Sequence, residues 1–223
     1  MTQNQRPLLV TDCDEVILHM IVPFAEWLGE IHAIDVDFGT QELADMLIHR
    51  DTGDKVDREK IWPLFEQFFG HEMDRQYPFP GAVEALQQIA EHADIVVLTN
   101  IGAAYHDHRR DQLASFGLPF RVIANHGSKG PPLAALIEEM QPSVAVFIDD
   151  LSVHIGGAAE HAPSCWRLQM VGEPKMAVRT KGSSHAHARI DTWDEALPWI
   201  IERFSEGKAP PALPQSETQM ETQ

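Results

Sequence analysis

Three short runs of aliphatic and β-branched residues constrain this 223-residue chain more than any other feature. They are Leu8-Leu9-Val10, Ile95-Val96-Val97-Leu98 and Val144-Ala145-Val146-Phe147-Ile148. None alternates apolar with polar residues, so each suits a strand buried on both faces. Each run ends in polar or acidic residues, at Thr11-Asp12, Thr99-Asn100 and Asp149-Asp150. Phe120-Arg121-Val122-Ile123 and Trp166-Arg167-Leu168-Gln169-Met170 read as weaker strands. Helical patterns lie between the runs. Val83, Leu86, Ile89 and Ala90 share one helical face, and so do Leu133, Leu136, Ile137 and Met140, and Leu197, Ile200, Ile201 and Phe204. Strands alternating with helices predict an α/β fold in three layers, a parallel sheet covered on both faces. Such sheets bind ligands at the carboxyl ends of their strands, which is where the polar residues fall.

One segment interrupts the alternation. Residues 19–77 carry helical signals and no convincing strand: a helix over Pro23–Ile31, one over Thr40–His49 with Thr40 as N-cap, and one over Arg58–Phe69 with Pro63 limiting its start. Gly39, Gly53 and Gly70 punctuate them. The aromatic residues here, Phe24, Trp27, Trp62, Phe65, Phe68 and Phe69, have core spacing. The predicted organisation is a core of residues 1–18 and 78–206, an α-helical cap of residues 19–77 inserted after the first strand, and a disordered Pro/Gln/Glu-rich tail over 207–223.

The net charge of −17 disfavours binding to nucleic acid or anionic membrane. Any phosphate site must therefore carry its own positive charge, from a metal, a Lys or backbone N–H groups. No apolar run reaches membrane-spanning length and no signal peptide precedes the first strand, so a cytoplasmic protein is expected, as a monomer or homodimer. Cys13 and Cys165 lack zinc-ligand spacing and read as two buried thiols.

The candidate chemistry lies at the predicted sheet edge. Asp12 and Asp14 leave a strand on the same side, two residues apart. Two such carboxylates need a cation between them or a proton on one of them, and either serves phosphoryl transfer. Asp149-Asp150 adds a second acidic pair, and such hard oxygen donors suit Mg²⁺. Thr99-Asn100 offers a hydroxyl, an amide and turn N–H groups to a phosphoryl oxygen. Lys129 precedes a helix within Gly127-Ser128-Lys129-Gly130-Pro131. Taken singly, each is equally a capped turn or a solvated surface group. Together and in this order they are far more specific.

The order and wording of these motifs resemble the haloacid dehalogenase superfamily over residues 8–205. Leu8 to Val16 is similar to its first motif, Ile95 to Asn100 to the second, Lys129 with Pro131 to the third, and Val146 to Asp150 to the fourth. The resemblance implies a Rossmann-like core, a helical cap and an Mg²⁺-dependent phosphohydrolase acting on a small-molecule phosphate ester. In it, Asp12 is the nucleophile that forms an aspartyl-phosphate, and Asp14 is the acid and then the base. Thr99, Asn100 and Lys129 hold the phosphoryl group. The metal is held by Asp12, by Asp14 through its carbonyl, and by Asp149 and Asp150. An Asp at position 14 favours phosphate chemistry over carbon–halogen displacement. Phosphomutase activity, a non-catalytic regulatory module and a response-regulator-like phosphoacceptor are the competing readings.

Two positions depart from the family pattern. Glu15 stands where many members have Gly, and its side chain is expected to crowd the cap or add charge beside Asp14. His154 stands where Asn or Asp is common, and is expected to make activity pH-sensitive near neutrality. His106, His108, His185 and His187 form two His-x-His pairs, for which surface or packing roles are expected.

Overall fold

In a computed structural model, which describes residues 5–40 and 43–213, the three apolar runs become neighbouring strands. The first half of the chain runs β1 (Leu8–Thr11), α1 (Ile21–Trp27), β2 (Ile34–Val36), α2 (Leu43–Met46), β3 (Leu47–His49), α3 (Arg58–His71), α4 (Ala82–His92) and β4 (Asp94–Thr99). The second half runs α5 (His106–Ser115), β5 (Arg121–Ala124), α6 (Gly130–Met140), β6 (Ala145–Asp149), α7 (Ser152–His161), β7 (Trp166–Gln169), α8 (Pro174–Ala177), β8 (Ala188–Arg189) and α9 (Trp193–Glu206).

Six strands form one parallel sheet in the order β5-β4-β1-β6-β7-β8. β1 lies in the middle, with Val10 in register with Val96 on one side and Phe147 on the other. Side chains of each strand point alternately to the two faces. Leu8, Val10, Val96, Leu98 and Phe147 pack against Leu133 and Leu136 of α6 and Ile155 and Ala158 of α7. Leu9, Val97, Val146 and Ile148 pack against Leu86 and Ile89 of α4 and Ala196 and Ile200 of α9. This burial on both sides is why the runs show no alternation, and it makes the three-layer α/β architecture. None of the helices in the described residues is long and apolar enough to cross a membrane.

The segment between β1 and α4 has its own apolar cluster. Phe24 stacks on Phe65 with centroids 4.3 Å apart, and Trp27 and Phe68 pack beside them. The chain leaves and re-enters the sheet domain at adjoining points, where the His19 N–H donates to the Tyr77 carbonyl at 2.9 Å. Three local expectations are corrected here. The segment contains an antiparallel pair, β2 with β3, whose three-residue strands are too short to show a period. The helix expected over Thr40–His49 is confined to Leu43–Met46, because Leu47–His49 pairs with β2; Gln41 and Glu42 lie outside the described residues. Pro63 sits inside α3 rather than at its start, while Ile61, Leu64, Phe65 and Phe68 bury the helix's apolar face around it.

The tail expectation also changes in part. Residues 214–223 lie outside the described residues, but Gly207–Leu213 follows the sheet edge. The Trp166 indole N–H donates to the Lys208 carbonyl at 2.8 Å, and the His187 Nε2 lies 3.3 Å from the Pro211 carbonyl. A buried indole needs such a partner, and the tail's backbone supplies it.

His187 packs edge-on against Trp166, and its Nδ1 accepts from the Arg167 N–H at 3.0 Å. Burial, with the Arg167 charge next, lowers its pKa to about 4. The unfolded chain therefore binds more protons than the folded chain between about pH 4 and the ordinary histidine value near 6.5. Stability is complete above about 6.5 and falls as pH drops through that window. Because the ring is half exposed, solvent screening limits the loss to on the order of 1 kcal/mol. Urea denaturation of the parent and of His187→Gln at pH 7 and pH 4.5 isolates this contribution: on acidification the variant is expected to lose on the order of 1 kcal/mol less than the parent.

Candidate active site

The carboxyl ends of β1, β4 and β6 bring the sequence-predicted residues to one edge. Asp12 follows β1 directly, and its N–H donates to the Ile148 carbonyl of β6 at 2.9 Å. That bond sets Asp12 beside Asp149, the last residue of β6. Lys129 reaches between them from the start of α6, its Nζ 2.7 Å from Asp12 Oδ1 and 2.7 Å from Asp149 Oδ2. All three side chains are buried. The reach depends on Gly130. A Cβ on Gly130 would fall on the Gly157 carbonyl, so only Gly lets α6 approach α7 this closely.

The electrostatics follow from this crowding. Burial, opposed by Lys129 and reinforced by Asp149 and Asp14, pushes the Asp12 carboxyl up to about 7. Burial raises Asp149, and burial with the Asp149 and Asp12 charges raises Asp150 well above the usual carboxylate range. Burial alone would lower Lys129, but the charges of Asp12 and Asp149 outweigh it and keep its ammonium protonated. One ammonium faces three carboxylates, each offering an oxygen within 4.8 Å of the others. With all three ionised, one ammonium would leave two negative charges uncompensated; without a further cation the raised Asp12 and Asp150 carboxyls relieve this by holding protons, and one divalent cation would balance it. A hard oxygen donor set with this surplus fits Mg²⁺. Asp12 Oδ1 also accepts from the Cys13 N–H at 2.7 Å, whereas among the described residues nothing donates to Oδ2.

Asp14 has a cation of its own. Arg109, fully buried on α5, places Nη2 2.9 Å from Asp14 Oδ1. The same carboxyl oxygen accepts from Gln76 Nε2 at 2.7 Å, and Oδ2 accepts from the Thr99 hydroxyl at 3.3 Å. Arg109 also donates to Gln76 Oε1 at 2.9 Å and to the Cys13 sulfur at 2.9 Å. Sequence reasoning missed Arg109 and Gln76 entirely. α5 reads His106-Asp107-His108-Arg109-Arg110-Asp111-Gln112-Leu113, with no apolar period, because two of the three residues it buries, Arg109 and Gln112, are polar and only Leu113 is apolar. Of the two arrangements expected for this carboxylate pair, no single side-chain cation lies between Asp12 and Asp14, since each has its own, while the raised Asp12 carboxyl agrees with a proton on one of them.

The two departures from the family pattern are resolved by the structure. Glu15 adopts a left-handed backbone with φ 61°, the conformation that favours glycine. Its side chain does not crowd the inserted segment. The carboxylate accepts from the Met20 and Ile21 N–H groups at 2.8 and 2.7 Å and so ties the start of α1, although burial pushes its pKa up to about 7. His154 lies 3.3 Å from the Asn100 amide. Burial, with the Lys129 charge next, lowers it to about 4. It is therefore neutral between pH 6 and 8 and contributes no titration there, contrary to the sequence expectation.

Asn100 donates to the Gly127 carbonyl at 2.9 Å and accepts from Asn125 at 2.8 Å, which ties the end of β4 to the Lys129 loop. His106 and His108 bond to the Val122 carbonyl and Asp74, away from these carboxylates. Cys13 and Cys165 are free, buried thiols. Above the acidic edge opens a cavity of about 630 Å³, with Asp12, Asp14, Lys129 and Asp150 at its polar end. Arg179 and Lys181, after α8, also line it and add positive charge to a chain that is otherwise strongly acidic.

Comparison of the folded chain with solved structures gives consistent matches. The HAD-hydrolase YfnB from Bacillus subtilis, solved bound to magnesium, matches with a TM-score of 0.61 at 14% identity, over 89% of this chain and 99% of that one. A haloacid dehalogenase-like hydrolase from Streptococcus pneumoniae matches with a TM-score of 0.60 at 10% identity, over 89% and 100%. The defluorinating L-2-haloacid dehalogenase Rha0230 matches with a TM-score of 0.55 at 11% identity, over 88% and 95%. No protein-family model and no curated protein sequence matches the chain. The fold is that of the haloacid dehalogenase-like hydrolases.

Replacing Arg109 by Met keeps the bulk but strands Asp14, Gln76 and Cys13 without their donor. Breaking a buried ion pair on one side costs about 3–5 kcal/mol, and Asp14's partial exposure puts the expected loss at about 3 kcal/mol. Urea denaturation of Arg109→Met against the parent protein checks this, with Arg110→Met, an exposed neighbour, expected within about 0.5 kcal/mol of the parent.

Proposed function

We propose that this protein is a magnesium-dependent phosphohydrolase that cleaves a small phosphate monoester through an aspartyl-phosphate on Asp12. One observation carries the reading: a buried Lys129 ammonium 2.7 Å from both Asp12 and Asp149, at the carboxyl edge of a haloacid dehalogenase-like sheet. The uncompensated acidity of Asp12, Asp149 and Asp150 supports it further.

In this reading Asp12 Oδ2 attacks phosphorus in line, forming an acyl phosphate as the bond to the leaving oxygen breaks. Asp14, which must enter the enzyme–substrate complex protonated, gives that proton to the leaving oxygen. It then takes a proton from water as the water attacks phosphorus, and inorganic phosphate departs with Asp12 restored. Lys129 and Asn100, which both line the cavity, hold the phosphoryl oxygens, while the Thr99 hydroxyl expected to join them is turned to Asp14. Arg109, Gln76 and Thr99 orient Asp14. The carboxylates of Asp12, Asp149 and Asp150 and the backbone carbonyl of Asp14 would hold Mg²⁺, which when bound neutralises charge on the transferring group. Residues 19–77 act as the cap over a core of residues 1–18 and 78–206. Asp14 is the feature that favours phosphate esters over carbon–halogen bonds, since only an oxygen leaving group needs an acid.

A panel of phosphate monoesters assayed with and without Mg²⁺ tests the reading. Turnover is expected only with the metal, and Asp12→Asn is expected to lose at least about 10³-fold in kcat/KM. Turnover of no ester, or full activity in Asp12→Asn, overturns it. Independently of activity, titration calorimetry is expected to show Mg²⁺ binding weakened by about tenfold or more in Asp150→Asn, as loss of one anionic ligand requires.

A further inference from the structure

The polar end of the cavity accounts for a phosphoryl group and little else. Much of the rest of its 630 Å³ is lined by apolar side chains, among them Trp62, Phe65 and Phe69 of α3, Met46, Met176 and Leu151. Thr40, Ser152, Arg179 and Lys181 are polar parts of the same wall. A cavity of this size suits a ligand well beyond a two-carbon ester, which would touch only the polar end. Two of these residues break the usual rule of burial. Trp62 is 67% exposed and Leu151 is 49% exposed, although both are large and apolar. One comes from the inserted segment and the other from the turn directly after Asp149-Asp150, and both line the same cavity. Exposed apolar surface gathered around a polar anchor marks a binding site for an amphiphilic ligand.

The rings add a shape requirement. Trp62 and Phe65 form a T-shaped pair, at 84° and 5.9 Å between centroids, and the Trp62 side chain keeps most of its surface exposed beside it. Flat aromatic groups are held best by offset stacking or edge contacts with such rings, and Met46 and Met176 add polarisable sulfur beside them. From this we infer that the substrate is a phosphate monoester whose alcohol part carries a planar aromatic ring, seated against Trp62 while the phosphoryl group lies at Asp12 and Lys129. The inference deepens the phosphohydrolase reading and rests on it.

Matched ligands test the ring separately from the chemistry. 2-Phenylethyl, hexyl and ethyl phosphate have alkyl leaving groups of similar acidity and differ in what fills the cavity. The expected kcat/KM for 2-phenylethyl phosphate exceeds that for ethyl phosphate by about tenfold or more, and exceeds that for hexyl phosphate as well. In Trp62→Ala the ratio of 2-phenylethyl to ethyl phosphate falls towards one. In Ile31→Ala, an exposed apolar residue outside the cavity, the ratio is expected to match the parent. Titration calorimetry in Mg²⁺ with 3-phenylpropylphosphonate and propylphosphonate, which cannot be hydrolysed, reads the same preference without turnover. No turnover of any ester, with the ring preference intact in calorimetry, would sink the hydrolase reading and leave the ring site standing. Equal handling of the phenyl and alkyl ligands, or a Trp62→Ala ratio equal to the parent's, would overturn the ring site.

Discussion

The Lys129 ammonium between Asp12 and Asp149 is the interaction on which the acidic edge depends. Two neighbouring strands, β1 and β6, cannot bring Asp12, Asp149 and Asp150 together in a buried place as carboxylates without a cation, because charges so close repel and lose their water. Lys129 supplies the first part of that charge from the N-terminal end of α6. Its reach is in turn a matter of backbone packing. Gly130 lacks the Cβ that would strike the α7 backbone at Gly157, so the arrangement of this acidic edge is set by a helix–helix contact behind it.

Asp14 depends on a second, separate device. Arg109 and Gln76 grip its carboxylate from α5 and from the return of the inserted segment, and Arg109 lies over the Phe69 ring at 5.9 Å. Glu15, one residue further, holds the backbone at the start of α1. Both ends of the inserted segment are thus bonded to residues adjoining Asp12. A movement of that segment is mechanically coupled to the orientation of Asp14, since the same hydrogen bonds serve both. The left-handed turn at Glu15 costs backbone energy on the order of 1 kcal/mol, offset by two charge-assisted bonds to N–H groups.

The parts of the fold visible in the sequence are those where one physical term dominates. Buried parallel strands need unbroken apolar runs, and helices on their faces need a period near 3.6, so β1, β4, β6, α4, α6 and α9 were legible. Legibility failed where tertiary partners override the pattern. β2 and β3 have three residues each and exist because they pair. α5 shows no apolar face because it buries an arginine and a glutamine. Pro63 is carried inside α3 by the burial around it. Gly207–Leu213 resembles a tail by composition, yet Trp166 and His187 bind its carbonyls.

By itself the sequence determined the layered α/β fold, the edge at which polar residues collect and the candidate residues there: Asp12, Asp14, Thr99, Asn100, Lys129, Asp149 and Asp150. It could do so because those residues follow apolar runs whose burial leaves the chain little choice of arrangement. Only the tertiary structure decided which charges meet. Lys129 goes to Asp12 and Asp149 and Arg109 to Asp14, because pairing across 20 to 117 positions of sequence depends on distances that no local pattern encodes. The same holds for Trp62, which its spacing assigned to the core and the fold left exposed in the cavity.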